Sequence, residues 1–87
     1  MHISENDYEI LKSIIKEENK GIYKAKGTDI HEIMSYTNLS YNKIYQVMNK
    51  FVENGICEYG LMRGKRKTFI LTDKGFDLLE NISGEDN

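Results

Sequence analysis

The strongest constraint on the fold is an amphipathic stretch in the middle of the chain, at residues 40 to 54. Ser40 is a favoured helix N-cap, and Gly55 suits the left-handed conformation that often ends a helix. Between them, four apolar residues recur at the three- and four-residue spacing of one helical face: Ile44, Val47, Met48 and Phe51. The pattern predicts a helix over residues 40 to 54 with one buried face and one solvent face.

A first helix is predicted over residues 5 to 19. Ser4 and Asp7 have the spacing of a helix cap, and apolar residues follow at helical intervals: Tyr8, Leu11, Ile14 and Ile15. A weak alternation at residues 22 to 25 then predicts a short strand.

A second helix leads directly into residues 40 to 54. It is predicted to begin at an N-cap, Thr28, and to stop near Tyr36, with three residues on its inner face: Ile30, Ile33 and Met34. Residues 37 to 39 leave room only for a tight turn between the two helices.

After Gly55 the pattern changes from helical to extended. Residues 56 to 59 and 68 to 71 are rich in strand-forming residues and predict a hairpin, with a flexible basic loop around residues 60 to 64. Thr72 is then the N-cap of a last helix with a narrow apolar face: Phe76, Leu78, Leu79 and Ile82.

These elements predict one small α+β domain over residues 1 to 82, followed by a disordered polar tail at residues 83 to 87. Two helices joined by a tight turn and followed by a hairpin have the order of a winged helix-turn-helix. The expected fold is a three-helix core with a two-stranded β-hairpin wing and a short C-terminal helix. With 87 residues the core is modest, so a second copy of the chain is expected to add buried surface.

The charges are segregated along the sequence. Residues 40 to 71 carry six basic residues against two acidic ones, whereas residues 72 to 87 carry one lysine against five acidic residues. Although the net charge of the chain is -2, its basic middle offers a surface on which a polyanion such as DNA can dock.

The solvent face of the helix at residues 40 to 54 has the chemistry of a major-groove surface. Amide side chains pair with adenine edges, whereas lysine and tyrosine reach phosphates. The DNA contacts predicted on this helix are Ser40 at its start, and then Asn42, Lys43, Tyr45, Gln46, Asn49 and Lys50. Tyr41 is expected to pack mostly in the core. An ordinary solvated helix face is the alternative interpretation.

The hairpin loop carries a cluster of positive charge around Gly64. Arg63, Lys65, Arg66 and Lys67 are predicted to form a mobile tip on a flanking phosphate or a narrow minor groove, with the two arginines as the main contacts. Basic hairpin tips also occur for solubility alone, and the sequence leaves that alternative open.

Four groups of residues, taken in sequence order, resemble a known family. They read TDIHEIM at residues 28 to 34 with NLSY at 38 to 41, FVENGI at 51 to 56, and FILTDKG at 69 to 75. In this order they resemble small archaeal winged-helix DNA-binding proteins of the transcriptional-regulator and chromatin-associated type. The resemblance covers about residues 8 to 82 and implies a winged-helix fold and DNA binding.

No constellation of residues points to catalysis or to a metal site. His2 and His31 lie apart in the sequence, and Cys57 has no second cysteine with which to share a zinc ion. Gly60 and Gly64 belong to a hairpin loop rather than to a phosphate loop between a strand and a helix. The chain is therefore predicted to be no enzyme and to use no cofactor.

The apolar runs of the chain are short, and none approaches the length of a membrane span. No hydrophobic signal segment follows Met1, and the lone Cys57 is expected to be a small buried thiol. We therefore expect a cytoplasmic protein with no membrane association.

Two functions of different classes fit the sequence. The preferred one is a transcriptional regulator that binds double-stranded DNA as a homodimer on a two-fold symmetric site, because one small domain covers only a half-site. The alternative is a protein-protein interaction module within a transcription or other assembly. General chromatin architecture ranks last, because it would need more basic surface than this chain has.

The dimer is predicted to form through the first helix. Two adjacent apolar pairs make a stripe wide enough for both the core and a neighbour: Ile10 with Leu11, and Ile14 with Ile15. Phe76 and Leu79 of the last helix are expected to extend this surface, and core packing alone is the alternative.

Overall fold

The computed structural model describes residues 2 to 15 and 27 to 85 of the chain. The elements in these residues are α1 (Glu5–Ile14), β1 (Thr28–Asp29), α2 (Ile30–Thr37), α3 (Tyr41–Glu53), β2 (Cys57–Tyr59), β3 (Thr68–Leu71) and α4 (Asp73–Glu85). The strands form an antiparallel sheet in the order β1-β3-β2. The predicted helix-turn-helix and the hairpin after it are confirmed.

The sheet differs from the predicted two-stranded hairpin because β1 joins it as a third strand. Thr28 pairs with Phe69 and Asp29 pairs with Thr68, so the chain entering α2 is fixed to the hairpin. Two residues are too few to show the alternating pattern of a strand, which is why the sequence does not reveal β1. The strand predicted at residues 22 to 25 lies outside the described residues.

The N-cap of α2 is Asp29 and not, as predicted, Thr28. Asp29 accepts a hydrogen bond from the Glu32 N–H at 2.9 Å, and the Glu32 carboxylate accepts one from the Asp29 N–H at 3.4 Å. Such a reciprocal capping box satisfies two backbone donors that a helix start would otherwise leave unpaired. Thr28 lies in β1, and its buried hydroxyl donates to the Ile14 carbonyl at 3.4 Å.

Two helix ends differ from their predicted positions. α1 ends at Ile14 with Ile15 as its C-cap, whereas the helix was expected to reach residue 19; residues 16 to 19 lie outside the described part. α4 continues to Glu85, beyond the last apolar residue of its pattern, Ile82. Apolar periodicity marks only the buried face, so it cannot show where a polar stretch of backbone remains helical. The division into a domain and a tail stays a prediction.

The core fills the space between the first three helices and the sheet. Its fully buried members include the stripe of α3 and that of α1: Ile10, Leu11, Ile14, Ile44, Met48 and Phe51. Ile10, Leu11 and Ile14 are therefore fully buried inside the chain, whereas Ile15 is only partly buried, and the predicted dimer contact of the first helix stays a prediction. The predicted buried thiol is confirmed, since Cys57 lies in the core and burial raises its pKa to about 12.

α1 is tied to α3 through a buried carboxylate. Asp7 forms a capping box with Ser4 and also accepts a hydrogen bond from the Lys50 ammonium at 2.5 Å. Burial by itself would raise the pKa of Asp7, but the hydrogen bonds from Lys50 and Ser4 outweigh it and hold the pKa below its ordinary value. This contact fixes the start of α1 against α3, the helix whose polar face is exposed to solvent.

Replacing Asp7 with asparagine is expected to lower the free energy of unfolding by about 1 kcal/mol at neutral pH, because a charge-assisted hydrogen bond to a partly exposed lysine is lost. The depressed pKa means that this stabilisation is present above the pKa of the unfolded state and disappears as the pH falls through the lower folded value. Urea unfolding at neutral and strongly acidic pH measures it, and a difference between the proteins that persists undiminished in acid would contradict the assignment.

Candidate nucleic-acid interface

α3 presents its polar face to solvent because its apolar stripe faces the core. Asn42, Lys43, Tyr45 and Gln46 are exposed, and Asn49 is half-buried at the edge of the same face. The Ser40 hydroxyl accepts a hydrogen bond from the Lys43 N–H at 3.2 Å, which confirms Ser40 as the N-cap. These predicted residues therefore lie together on one accessible surface.

The orientation of α3 is set by the turn that precedes it. α2 ends at Thr37, and its C-cap Asn38 has a positive φ of 61° and donates its N–H to the Met34 carbonyl at 3.0 Å. Thr37 closes the last turn by donating to the Ile33 carbonyl at 2.8 Å. Only residues 38 to 40 separate the two helices, so the exposed face of α3 is held rigidly with respect to α2.

The wing is the hairpin formed by β2, β3 and residues 60 to 67 between them. Its end is ordered, since Arg63 and Arg66 each donate a backbone hydrogen bond to the carbonyl of the other at 2.9 Å. Gly64, with a φ of 60°, and Lys65 form the turn at the tip. The loop predicted around residues 60 to 64 has backbone pairing at two points, Gly60 with Thr68 and Arg63 with Arg66, and its predicted flexibility stays a prediction.

Arg63 binds the protein itself. Its guanidinium donates to the Glu32 carboxylate and to the Gly27 carbonyl, the latter at 2.6 Å, and lies 3.6 Å from the Asp29 carboxylate. Arg66 adds a second ion pair to Asp29 at 3.7 Å. We call these contacts the clasp; they attach the wing to the start of α2. Arg63 was predicted to bind a phosphate because the partners that hold it lie more than 30 residues away in the chain and leave no local signal.

Lys50 is also engaged within the protein. Its salt bridge with the buried Asp7 draws it towards the start of α1, and its side chain is about one-third exposed at 35%. Lys50 nevertheless stays on the polar side of α3, where it lines one pocket together with Lys43 and Gln46. All four wing cations are exposed, and three of them lie beside that face: Lys65, Arg66 and Lys67.

A cleft of about 330 Å³ lies between α3 and the wing. Five aromatic side chains line it: His31, Tyr41, Tyr45, Tyr59 and Phe69. The same three wing cations and Asn49 line it too. The cleft thus joins the amide-bearing face of α3 to the basic wing in one continuous surface.

Tyr41 belongs to this surface, so its predicted place in the core is wrong. It is 45% exposed, and its ring stacks on Tyr45 with centroids 6.2 Å apart and an interplanar angle of 13°. Its position one turn before the buried Ile44 suggested burial, but the Tyr41 ring lies on the cleft instead. His31 completes the cluster at 5.8 Å from Tyr41, and no sequence signal pointed to it.

The described residues contain neither a candidate metal cluster nor a candidate membrane span. No group of three or more histidine, cysteine, aspartate or glutamate side chains among them is placed to hold a metal ion. Within the same residues, no helix combines the length and apolar character that crossing a membrane requires.

The arrangement matches solved structures over nearly the whole chain. AF1382 from Archaeoglobus fulgidus superposes with a TM-score of 0.77 over 94% of this chain and 85% of that protein, at 28% identity. MepR, a transcription regulator of the Staphylococcus aureus multidrug efflux pump MepA, also gives a TM-score of 0.77, at 13% identity. The fold is a winged helix. The match covers 94% of this chain but only 56% of MepR.

The sequence of this winged helix also has a relative. It is 28% identical over 82 residues to the DNA-binding protein TubR of the Clostridium botulinum C phage, covering 94% of this chain and 99% of that protein. No protein-family model matches the sequence. Because these similar proteins come from both an archaeon and a bacterial phage, the archaeal part of the predicted resemblance stays a prediction.

Proposed function

We propose that this winged helix binds double-stranded DNA as a sequence-preferring transcriptional regulator in the cytoplasm. α3 enters the major groove, and the wing lies on the adjacent backbone or minor groove. The observation that carries the proposal is the continuity of the amide-bearing face of α3 with the exposed wing cations around one cleft. TubR is described as DNA-binding and MepR has been solved with DNA, which supports the same function here.

The contacts divide by chemistry. Asn42, Gln46 and Asn49 carry amides suited to base edges, and they give sequence preference. The remaining proposed residues, which bind phosphates and fix the register of the complex, are Ser40, Lys43, Tyr45, Lys65, Arg66 and Lys67. Lys50 and Arg63 are left out because each already makes a hydrogen bond to a carboxylate of the protein. Arg66 is kept because it lies 3.7 Å from the Asp29 carboxylate and its side chain is 58% exposed.

Replacing Gln46 or Asn49 with alanine is expected to change the preference among duplexes. A lost bidentate pair removes about 1–3 kcal/mol of discrimination at one base position and leaves other positions intact. Competition binding with a set of single-base variants of the preferred duplex measures the change. Lys43→Ala is the matched control, since it should weaken all duplexes similarly. A uniform loss for Gln46→Ala or Asn49→Ala would contradict their assignment to base edges.

The clasp makes a different prediction for Arg63. Arg63→Ala should weaken duplex binding about fivefold, because the wing loses its fixed position, while the salt dependence of binding stays unchanged. Glu32→Gln should act in the same direction, and the double variant should be no worse than the more severe single one. A salt slope that falls by about 1 in Arg63→Ala would instead identify a phosphate contact.

The homodimer is part of the proposal, because a second copy would supply a second recognition helix for a two-fold site. With most of the α1 stripe buried, we place the dimer surface on α4, where Phe76 and Leu78 are only partly buried. Sedimentation of the protein over a range of concentrations tests this, and Phe76→Ser with Leu78→Ser should yield monomers that remain folded.

A protein-interaction role is the second candidate, and one observation favours it. Leu61 and Met62 on the wing are 63% and 58% exposed, so the wing has an apolar side as well as a basic one. Leu61→Ser with Met62→Ser separates the two functions. DNA binding by this variant should equal that of the parent if the apolar side serves a protein partner.

A further inference from the structure

The cleft between α3 and the wing has more aromatic surface than a phosphate site needs. Tyr41, Tyr45 and Tyr59 are each between 43% and 45% exposed, although tyrosine rings are large apolar surfaces. Tyr41 and Tyr45 lie nearly parallel on the α3 side, whereas Tyr59 and Phe69 form a second pair on the sheet with centroids 5.4 Å apart. The cleft therefore offers flat ring faces on which a planar group can stack.

Positive charge lies beside these rings. Lys65, Arg66 and Lys67 line the cleft from the wing, and the Lys67 ammonium lies 5.3 Å from the centre of the Tyr59 ring. Asp29 is the one carboxylate among the residues that line it, and two arginines lie within 3.7 Å of its oxygen. The clasp thereby offsets the negative charge that would otherwise repel an anion.

We propose that this cleft is a nucleotide site. The base stacks on Tyr41 and Tyr45, and the phosphate binds Lys65, Arg66 and Lys67, an arrangement that accepts any base because every base has a π face. The volume of about 330 Å³ lies at the lower end of the range of small-molecule sites, which suits one nucleotide. The same chemistry is offered by a free mononucleotide and by an unpaired nucleotide of a DNA strand, whereas paired bases of a duplex are not free to stack.

This site has a regulatory consequence that rests on the proposed duplex binding. The occupied cleft uses Lys65, Arg66 and Tyr45, which also belong to the duplex surface. A bound nucleotide would therefore compete with duplex DNA. Nucleotide binding itself does not depend on that function, so the two can fail separately.

The test is titration of the isotope-labelled full chain, followed by NMR amide shifts, with four probes: thymidine 5′-monophosphate, thymidine, inorganic phosphate and a short single-stranded oligo(dT). The mononucleotide is expected to bind at least about tenfold more tightly than thymidine or phosphate, since it engages both halves of the cleft. Tyr41→Leu with Tyr45→Leu should weaken it about tenfold, whereas the matched Tyr→Phe pair keeps the ring faces and should retain binding. Arg66→Ala should also weaken mononucleotide binding, whereas the control Lys12→Ala on α1 should leave it unchanged.

Each outcome decides the proposal. Binding of oligo(dT) alone, with the same dependence on the tyrosines, supports a site for an unpaired nucleotide of a strand; binding of the mononucleotide supports a free ligand. Phosphate binding as tightly as the mononucleotide, or leucine variants that bind like the parent protein, would overturn it. If the mononucleotide binds but duplex DNA does not, the nucleotide site stands and the proposed duplex function fails.

Discussion

Replacing both Lys65 and Arg66 with alanine is expected to weaken binding to every duplex to a similar extent, by about 60-fold near 0.1 M salt. Each phosphate contact contributes about 0.9 to the slope of log affinity against log salt concentration, so the loss of two should flatten that slope by about 1.8. Both residues lie at the end of the wing, and their exposure leaves them available to the DNA backbone. Salt titrations of duplex binding by fluorescence anisotropy measure the slope.

The matched control removes the same number of charges elsewhere. Lys12 on α1 and Lys74 at the start of α4 are both exposed and do not line the cleft. Lys12→Ala with Lys74→Ala should leave the salt slope close to that of the parent. If the wing variant kept its full slope, or if the control lost as much, the wing would have no specific part in binding. Arg63 still contacts Asp29 in the wing variant, so the clasp largely survives.

Replacing Gly75 with alanine is expected to lower the free energy of unfolding by about 3 kcal/mol, the upper end of the usual cost of overpacking. Helix propensity alone predicts the opposite sign, since alanine is favoured over glycine inside a helix by about 1 kcal/mol. A Cβ at this position would collide with the Ile56 carbonyl oxygen and would lie 2.7 Å from the Leu71 side chain. Because the obstacle includes backbone, it cannot move aside cheaply, and the steric effect wins.

Chemical denaturation measures this loss, and Glu80→Ala at an exposed position of the same helix is the control. The control should change stability by less than about 0.5 kcal/mol. The clash arises where α4 leaves the sheet: the Thr72 hydroxyl donates to the Ile56 carbonyl at 2.9 Å and accepts from the Gly75 N–H at 3.1 Å. A Gly75→Ala protein more stable than the parent would show that this junction is looser than the structure indicates.

Elements with a clear pattern could be predicted from the sequence. The stripe of α3 and its Ser40 cap identified the helix, because burial of one helical face imposes a 3.6-residue period on the residues themselves. The hairpin was predicted from its two apolar runs. β1 has no such sequence pattern because it is only two residues long. It is recognised as a strand only through its pairing with Phe69 and Thr68.

The candidate site was predicted less completely. Whether a basic side chain is available to DNA depends on which acidic groups the fold brings next to it. Lys50 and Arg63 look like phosphate ligands in the sequence, but Asp7 and Glu32 reach them from distant segments. Tyr41 has the spacing of a core residue, yet its ring lies on the cleft. Exposure could be predicted where it depends on local structure alone. It follows from the polar helical face for Asn42, Lys43 and Gln46, and from the hairpin turn for the wing tip.

Duplex binding is tested by fluorescence anisotropy of labelled random-sequence and promoter-region duplexes, titrated with the purified protein at low and near-physiological salt. We expect salt-sensitive binding to both duplexes, with the promoter region preferred as salt rises. No binding to either duplex even at low salt would contradict DNA binding and would favour the protein-interaction role of the wing.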